Sequence, residues 1–200
     1  MRPKIFGIGY NKTGTSTLGA CLRALGYRHV TYDYDLMRHF FNGQHEEIYR
    51  VIDAHDSFED WPFPLMYREL AERYPDARFI LTVRRSSQVW FESLRRHARR
   101  SNIRKHERTW LYGIRYPENG KDRYIEKYEA HNAAVLRDLG DRVLPICWEN
   151  GEGWDQLCRF IGLDPPGLPM PHENPGVTHA SPMRRLTHEI LSRLEAARLS

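Results

Sequence analysis

The sequence predicts a single-domain, three-layer α/β/α fold around a central parallel sheet. Short apolar runs that read as strands alternate with stretches of helical periodicity. The first run ends in glycine and passes straight into a helix. The 200 residues also suffice to bury one core without a disulfide or metal staple. Strands and helices alternating at this spacing imply a parallel sheet covered by helices.

Each element follows from its own pattern. Lys4 to Gly9 (KIFGIG) reads as a buried strand. From Thr15 the apolar positions Leu18, Cys21, Leu22 and Leu25 keep a helical spacing that Gly26 closes. His29 to Asp33 reads as a second strand, and residues 35–54 as one or two helices interrupted near Asn42-Gly43. The segment SFEDWPFP looks turn-like, and a helix carrying Leu65, Met66, Leu70 and Ala71 follows it until Tyr74-Pro75-Asp76. Arg78 to Val83 (RFILTV) is the most strand-like run, and residues 87–99 are helical. Residues 100–120 are polar with Gly113, Pro117 and Gly120, which suggests a long excursion or lid. A helix over 121–139, a strand over Arg142–Cys147 and a helix over Trp154–Ile161 come next. The Pro/Gly-rich run DPPGLPMPHENPG then leads to a terminal amphipathic helix from about Met183 to Leu199, expected to pack on the core or on a second copy in a homodimer.

Composition removes several classes of function. Apolar residues make up 40% and charged residues 28%, so neither wholesale disorder nor a membrane-spanning chain is expected. No apolar run approaches the roughly 20 residues of a spanning helix. The start, MRPKIFGIGYNKTG, lacks the longer apolar region and cleavage site of a secretory signal. Cys21, Cys147 and Cys158 are scattered without CxxC spacing, which fits buried thiols in a reducing cytoplasm. Ten histidines show no HExxH or paired ligand spacing, so no metal is expected. The net charge of +4 is uneven: residues 95–108 hold seven Lys/Arg and one Glu, a local +6, leaving −2 for the rest. That stretch reads as a solvated helix face or as a rim that steers a polyanion. It has no interleaved aromatics, so nucleic acid is not the expected partner.

In parallel sheets ligands bind beyond the carboxyl ends of the strands. The chemistry is therefore expected just after Gly9, Asp33, the 57–60 segment and Val83. The loop Gly9-Tyr10-Asn11-Lys12-Thr13-Gly14-Thr15-Ser16-Thr17 joins a strand to a helix, which aims backbone N–H groups and the positive end of the helix dipole at one spot. Lys12 adds a charge; Thr13, Thr15, Ser16 and Thr17 add hydroxyls. The loop reads as a phosphate cradle, although Lys12 precedes Gly14 and so departs from the GxxxxGK[ST] pattern, and the third glycine of GxGxxG is absent.

The run KTGTST between strand and helix resembles the 5′-phosphosulfate-binding loop of sulfotransferases that use 3′-phosphoadenosine-5′-phosphosulfate. Three further segments agree. RFILTVRRSSQVWFESL resembles the family's 3′-phosphate motif, and PLMYRELAERYPDARFILTVR resembles the helix–strand lead-in of its bacterial-type branch. GWDQLCRFIGLDPPGLPMPHEN resembles that branch's closing segment. Together they cover most of residues 4–176 in order. The resemblance implies a P-loop NTPase-like fold and a sulfuryl transfer from that donor to a hydroxyl or amine of a small-molecule, glycan or lipid acceptor. Adenosine 3′,5′-bisphosphate is then the product.

The resemblance also assigns roles. Lys12 is the cation at the leaving 5′-phosphate, with Thr13, Gly14, Thr15, Ser16 and Thr17 around it. Arg84, at the end of the strongest strand, and Ser93, on the following helix, are expected at the 3′-phosphate. The family's Arg-to-Ser spacing is eight, which Arg85 meets and Arg84, at nine, does not, so both arginines stay in play. Asp60-Trp61-Pro62 occupies the place where the cytosolic branch carries a histidine before proline, which makes Asp60 the candidate base. Such a carboxylate needs partial desolvation, for which Phe58, Trp61 and Phe63 are at hand. Asp33 and Asp35 are the next candidates, and His55, Asp56 and Glu59 stand in the same segment as Asp60. Two rival readings remain: a P-loop small-molecule kinase using ATP, and a non-catalytic nucleotide- or nucleic-acid-binding module.

Overall fold

The computed structural model describes residues 2–100, 107–171 and 182–199. Part of the 100–120 excursion, part of the basic 95–108 stretch and most of the Pro-His-x-Asn run lie outside the described residues. In chain order the elements are β1 (Ile5–Gly7), α1 (Thr15–Ala24), β2 (His29–Val30), α2 (Tyr34–Phe41), α3 (His45–Ala54), β3 (Ser57–Glu59), α4 (Tyr67–Arg73), β4 (Arg78–Thr82) and α5 (Ser87–Ala98). There follow α6 (Glu107–Tyr112), α7 (Lys121–Leu139), β5 (Val143–Ile146), α8 (Trp154–Ile161) and α9 (Pro182–Leu199). The chain divides into two compact units, one of residues 1–85 and 132–175, the other of residues 86–131 and 176–200.

The first unit holds a five-stranded sheet in the order β2-β3-β1-β4-β5. Every neighbouring pair is parallel. One reading from sequence needs correction: the start of SFEDWPFP is not a turn but strand β3. Ser57, Phe58 and Glu59 pair with Ile5, Phe6 and Gly7 on one side. On the other, Ser57 and Phe58 pair with His29 and Val30. The run is only three residues long, carries a charge and is followed by two prolines, so no periodicity announces it.

Alternation along the strands sorts the two faces. Phe6, flanked in register by Phe58 and Phe79, points to one face. Its ring lies 4.9 Å from Phe58 and 5.6 Å from Phe79. Leu36, Ile48, Ile52, Met66, Leu70, Val135 and Leu139 cover that aromatic row. Burying each such ring contributes about 1.5–3 kcal/mol. On the opposite face Ile5, Ile80 and Ile146 meet Leu18, Cys21 and Leu22 of α1 and Trp154, Leu157 and Cys158 of α8. The three layers are therefore helices, sheet, helices, as the sequence predicts. Cys21, Cys147 and Cys158 are free thiols, all buried.

The second unit is held by aromatic stacking and one acidic residue. Trp90 stacks on Tyr128 at 4.3 Å, and Tyr112 on Tyr124 at 3.9 Å. Glu195 of α9 accepts from the backbone N–H groups of Arg115 and Tyr116 at 2.8 and 3.1 Å, and from the Asn119 side-chain amide at 3.0 Å.

Candidate active site

The parallel arrangement carries the strand ends of the first unit to one edge, and the loop after β1 opens there. Lys12 has φ 71° and Gly14 φ 97°, both left-handed, so the chain doubles back before entering α1. Gly14 is the N-cap of α1, and no side chain caps the helix. The N–H groups of its first turn are therefore left to a ligand or to water. Gly14 is also fixed by packing: a Cβ there would lie 2.4 Å from Cδ1 of Trp148, whose Nε1 donates to the Gly14 carbonyl at 3.1 Å.

The four predicted hydroxyls do different things. Thr13 is buried, and its Oγ1 donates to the Tyr10 carbonyl at 2.6 Å while lying 2.6 Å from Thr82 Oγ1. That hydroxyl ties the loop to the end of β4. Thr15 Oγ1 donates to Asp60 Oδ2 at 3.4 Å. Thr17 is buried and Ser16 half-buried.

Arg84 follows β4 and reaches the same loop. Its Nε donates to the Lys12 carbonyl at 2.8 Å and its Nη1 to Glu149 Oε1 at 2.6 Å. Arg85 is exposed; its N–H donates to Glu149 Oε2 at 3.2 Å, and its Nη2 to the Glu149 carbonyl at 2.5 Å. Of the two arginines, Arg84 is the one bonded to the loop that carries Lys12.

Asp60, after β3, also stands in a left-handed conformation, φ 68°. Its Oδ1 accepts from the Trp61 N–H at 2.8 Å and its Oδ2 from Thr15. Burial of the carboxyl, reinforced by the negative charge of the adjacent Glu59, pushes its pKa up to about 7, against the pull of the Trp61 N–H, Lys12 and Thr15. The other acidic candidates have structural duties. Asp33 caps α2, accepting from the N–H groups of Asp35 and Leu36 at 2.7 and 3.4 Å. Asp35 pairs with Arg38 at 3.1 Å on an exposed surface. Asp56 pairs with Arg28, whose guanidinium holds its pKa down to about 2. His55 Nδ1 lies 2.8 Å from the Val51 carbonyl. Glu59 is buried and accepts from Thr31 Oγ1.

The first unit thus brings together Lys12, Thr13, Gly14, Thr15, Ser16, Thr17, Asp60 and Arg84. Ser93 belongs to the second unit, buried on α5. Sequence reasoning missed Trp148, which packs on Gly14 of the loop, and Glu149, which holds both arginines. The signal was present, because they directly follow β5 at its carboxyl end. Among the described residues no group of three or more His, Cys, Asp or Glu could hold a metal ion, and no helix is long and apolar enough to cross a membrane.

Comparison with known proteins bears on this geometry. A family model described as a sulfotransferase domain matches residues 4–179. Ava biosynthesis cluster protein M of Aspergillus versicolor is 26% identical over 210 residues, spanning 84% of this chain and 80% of that protein. The crystal structure of a sulfotransferase from Alicyclobacillus acidocaldarius superimposes with a TM-score of 0.50 at 18% identity, covering 100% of this chain and 94% of that one. At that identity the likeness speaks for the fold.

Proposed function

This chain belongs to the sulfotransferase domain family, and from that premise we propose that its donor is 3′-phosphoadenosine-5′-phosphosulfate. Sulfuryl transfer is then the reaction its residues serve. Lys12 and the N–H groups at the start of α1 receive the 5′-phosphate, and Arg84 the 3′-phosphate. The acceptor hydroxyl (or amine) attacks sulfur in line. Its oxygen–sulfur bond forms as the bond from sulfur to the bridging phosphate oxygen breaks, and Asp60 takes the acceptor's proton. Negative charge grows on the bridging oxygen, and Lys12 stabilises it. Adenosine 3′,5′-bisphosphate leaves.

The observation that carries this reading is the meeting of opposite chemistries at one helix start. An uncapped α1 N-terminus with Lys12 suits an anion, and Asp60, bonded to Thr15 in that same first turn, supplies a base. A carboxyl with its pKa near 7 is half-ionised at neutral pH, which is what proton abstraction there requires. The acceptor is a small molecule, glycan or lipid bearing a hydroxyl or amine.

Thermal denaturation tests the donor. Adenosine 3′,5′-bisphosphate without magnesium is expected to raise the melting temperature, and Lys12→Ala or Arg84→Ala to abolish the rise. A rise with ATP and magnesium alone would overturn the proposal. Asp60→Asn is expected to keep the shift and lose turnover in a screen of acceptors with labelled donor.

A further inference from the structure

The mechanism above leaves a second ionisable group beside Asp60 without a task. Glu59 is 1% exposed, the side chain of His29 is fully buried, and Ser57 is buried with them. All three face α1. His29 and Ser57 are register partners across β2 and β3, and His29 Nδ1 lies 2.9 Å from Ser57 Oγ. His29 Nε2 stands 3.8 Å from Glu59 Oε1, beyond hydrogen-bond distance, and Thr31 Oγ1 donates to that oxygen. Among the described residues Glu59 Oε2 and His29 Nε2 have no hydrogen-bond partner.

Space has been kept for this cluster. A Cβ on Gly7 would lie 2.9 Å from the Glu59 Cβ, and one on Gly19 of α1 2.6 Å from His29 Nε2. Helix and strand thus approach over glycines so that a carboxylate and an imidazole fit between them. Burying such groups incompletely satisfied opposes folding, and an apolar pair of the same shape would pack there without that cost. The neighbouring residue is the one that needs a tuned carboxyl.

We propose that Glu59, held by Thr31 and faced by His29, is a positioning residue whose buried negative charge keeps the acceptor's proton on Asp60 once Asp60 has taken it. The inference rests on the reading of Asp60 as the base. Glu59 and Asp60 are consecutive, and both turn toward α1, Glu59 from the strand and Asp60 through Thr15. The charged or titratable groups around the pair are His29 from β2, Lys12 from the loop after β1 and Arg23 from α1, whose guanidinium lies beside Gly19. Lys12 opposes the effect of Glu59, and His29, when protonated, partly neutralises it. The direction agrees with the raised affinity of Asp60 for protons, in which Glu59 is the second cause after burial.

The experiment follows the Asp60 carboxyl itself by NMR in protein labelled with 13Cγ-aspartate, with the resonance assigned by its loss in Asp60→Asn. Glu59→Gln is expected to lower the Asp60 midpoint by about one pH unit or more. Thr31→Val, which deprives Glu59 of the hydroxyl that holds it, is expected to move the midpoint the same way by less. An unmoved midpoint in either folded variant would overturn the proposal, and Thr31→Val keeps the test available should Glu59→Gln not fold. In wild type, Glu59→Gln and Thr31→Val, the acid limb of kcat/KM is expected to move with the NMR midpoint. Full turnover in Asp60→Asn would instead overturn the base assignment, whatever the titrations show.

Discussion

Arg84 donates from Nε to the carbonyl oxygen of Lys12 at 2.8 Å. The two cations assigned to opposite ends of the donor are therefore joined through the backbone of the loop. The bond anchors a left-handed peptide that a lysine adopts only when its surroundings hold it. Glu149 holds the other side of the same guanidinium, so the fork's plane is set before any ligand arrives.

Arg84→Lys retains the charge and loses both the Nε donor and the planar fork. We expect affinity for adenosine 3′,5′-bisphosphate to fall about 10- to 100-fold by calorimetric titration, the range set by a lost charge-assisted hydrogen bond. Arg85→Lys, on an exposed side chain, is expected to change it by less than about threefold.

Gly14→Ala places a methyl against Trp148 at a backbone conformation that disfavours any Cβ. Stability measured by denaturant is expected to drop by about 1–3 kcal/mol. Nucleotide binding should be lost with it, because the start of α1 has to shift. Trp148→Ala in the Gly14→Ala background relieves the contact but not the left-handed φ, so recovery should be partial.

Asp60 makes stability depend on pH in a sense opposite to that of most acidic residues. Its carboxyl titrates near 7 when folded and near 4 when unfolded, so the native state binds the proton more tightly. Its contribution is most favourable below about pH 4 and is lost as pH rises through 7. Asp60→Asn should therefore melt higher than wild type at pH 8, with the gap closing toward pH 4. Asp56, held down to about 2 by Arg28, works the other way: its contribution is present above pH 4 and disappears as pH falls through 2.

Phe6 sits fully buried at the centre of the aromatic row. Phe6→Ala should cost about 3–5 kcal/mol in urea unfolding. In a variant that remains folded, the circular-dichroism spectrum should stay close to that of wild type.

The strand–helix alternation and the loop that joins β1 to α1 were legible because each rests on local pattern: a short apolar run, a glycine, hydroxyls at a helix start. Helices α7 and α8 fell on the predicted residues, and the sequence interruption at Asn42-Gly43 does separate α2 from α3. Strand β3 was not legible. Its three residues owe their extended form to partners on both sides, β1 and β2, and not to any periodicity of their own. The same reason hid the partners of Arg84. The pairing of Glu149 with Arg84 cannot be read until β5 is laid beside β4, which brings residues 65 positions apart within 2.6 Å. Thr13 shows the converse. Its residue type fitted a phosphate-facing hydroxyl, while the fold turns that hydroxyl inward to Tyr10 and Thr82.

Helix α1 begins at a glycine that brings no side chain to its own first turn. The proposed donor phosphate would cap that turn, which would couple occupancy to its folding. At a hundredfold excess over its dissociation constant, such a ligand adds about 2.7 kcal/mol to stability. On the proposed function, the lifetime of the protein would follow the supply of that nucleotide. Amide exchange in residues 15–17 is the readout expected to slow first as that supply rises.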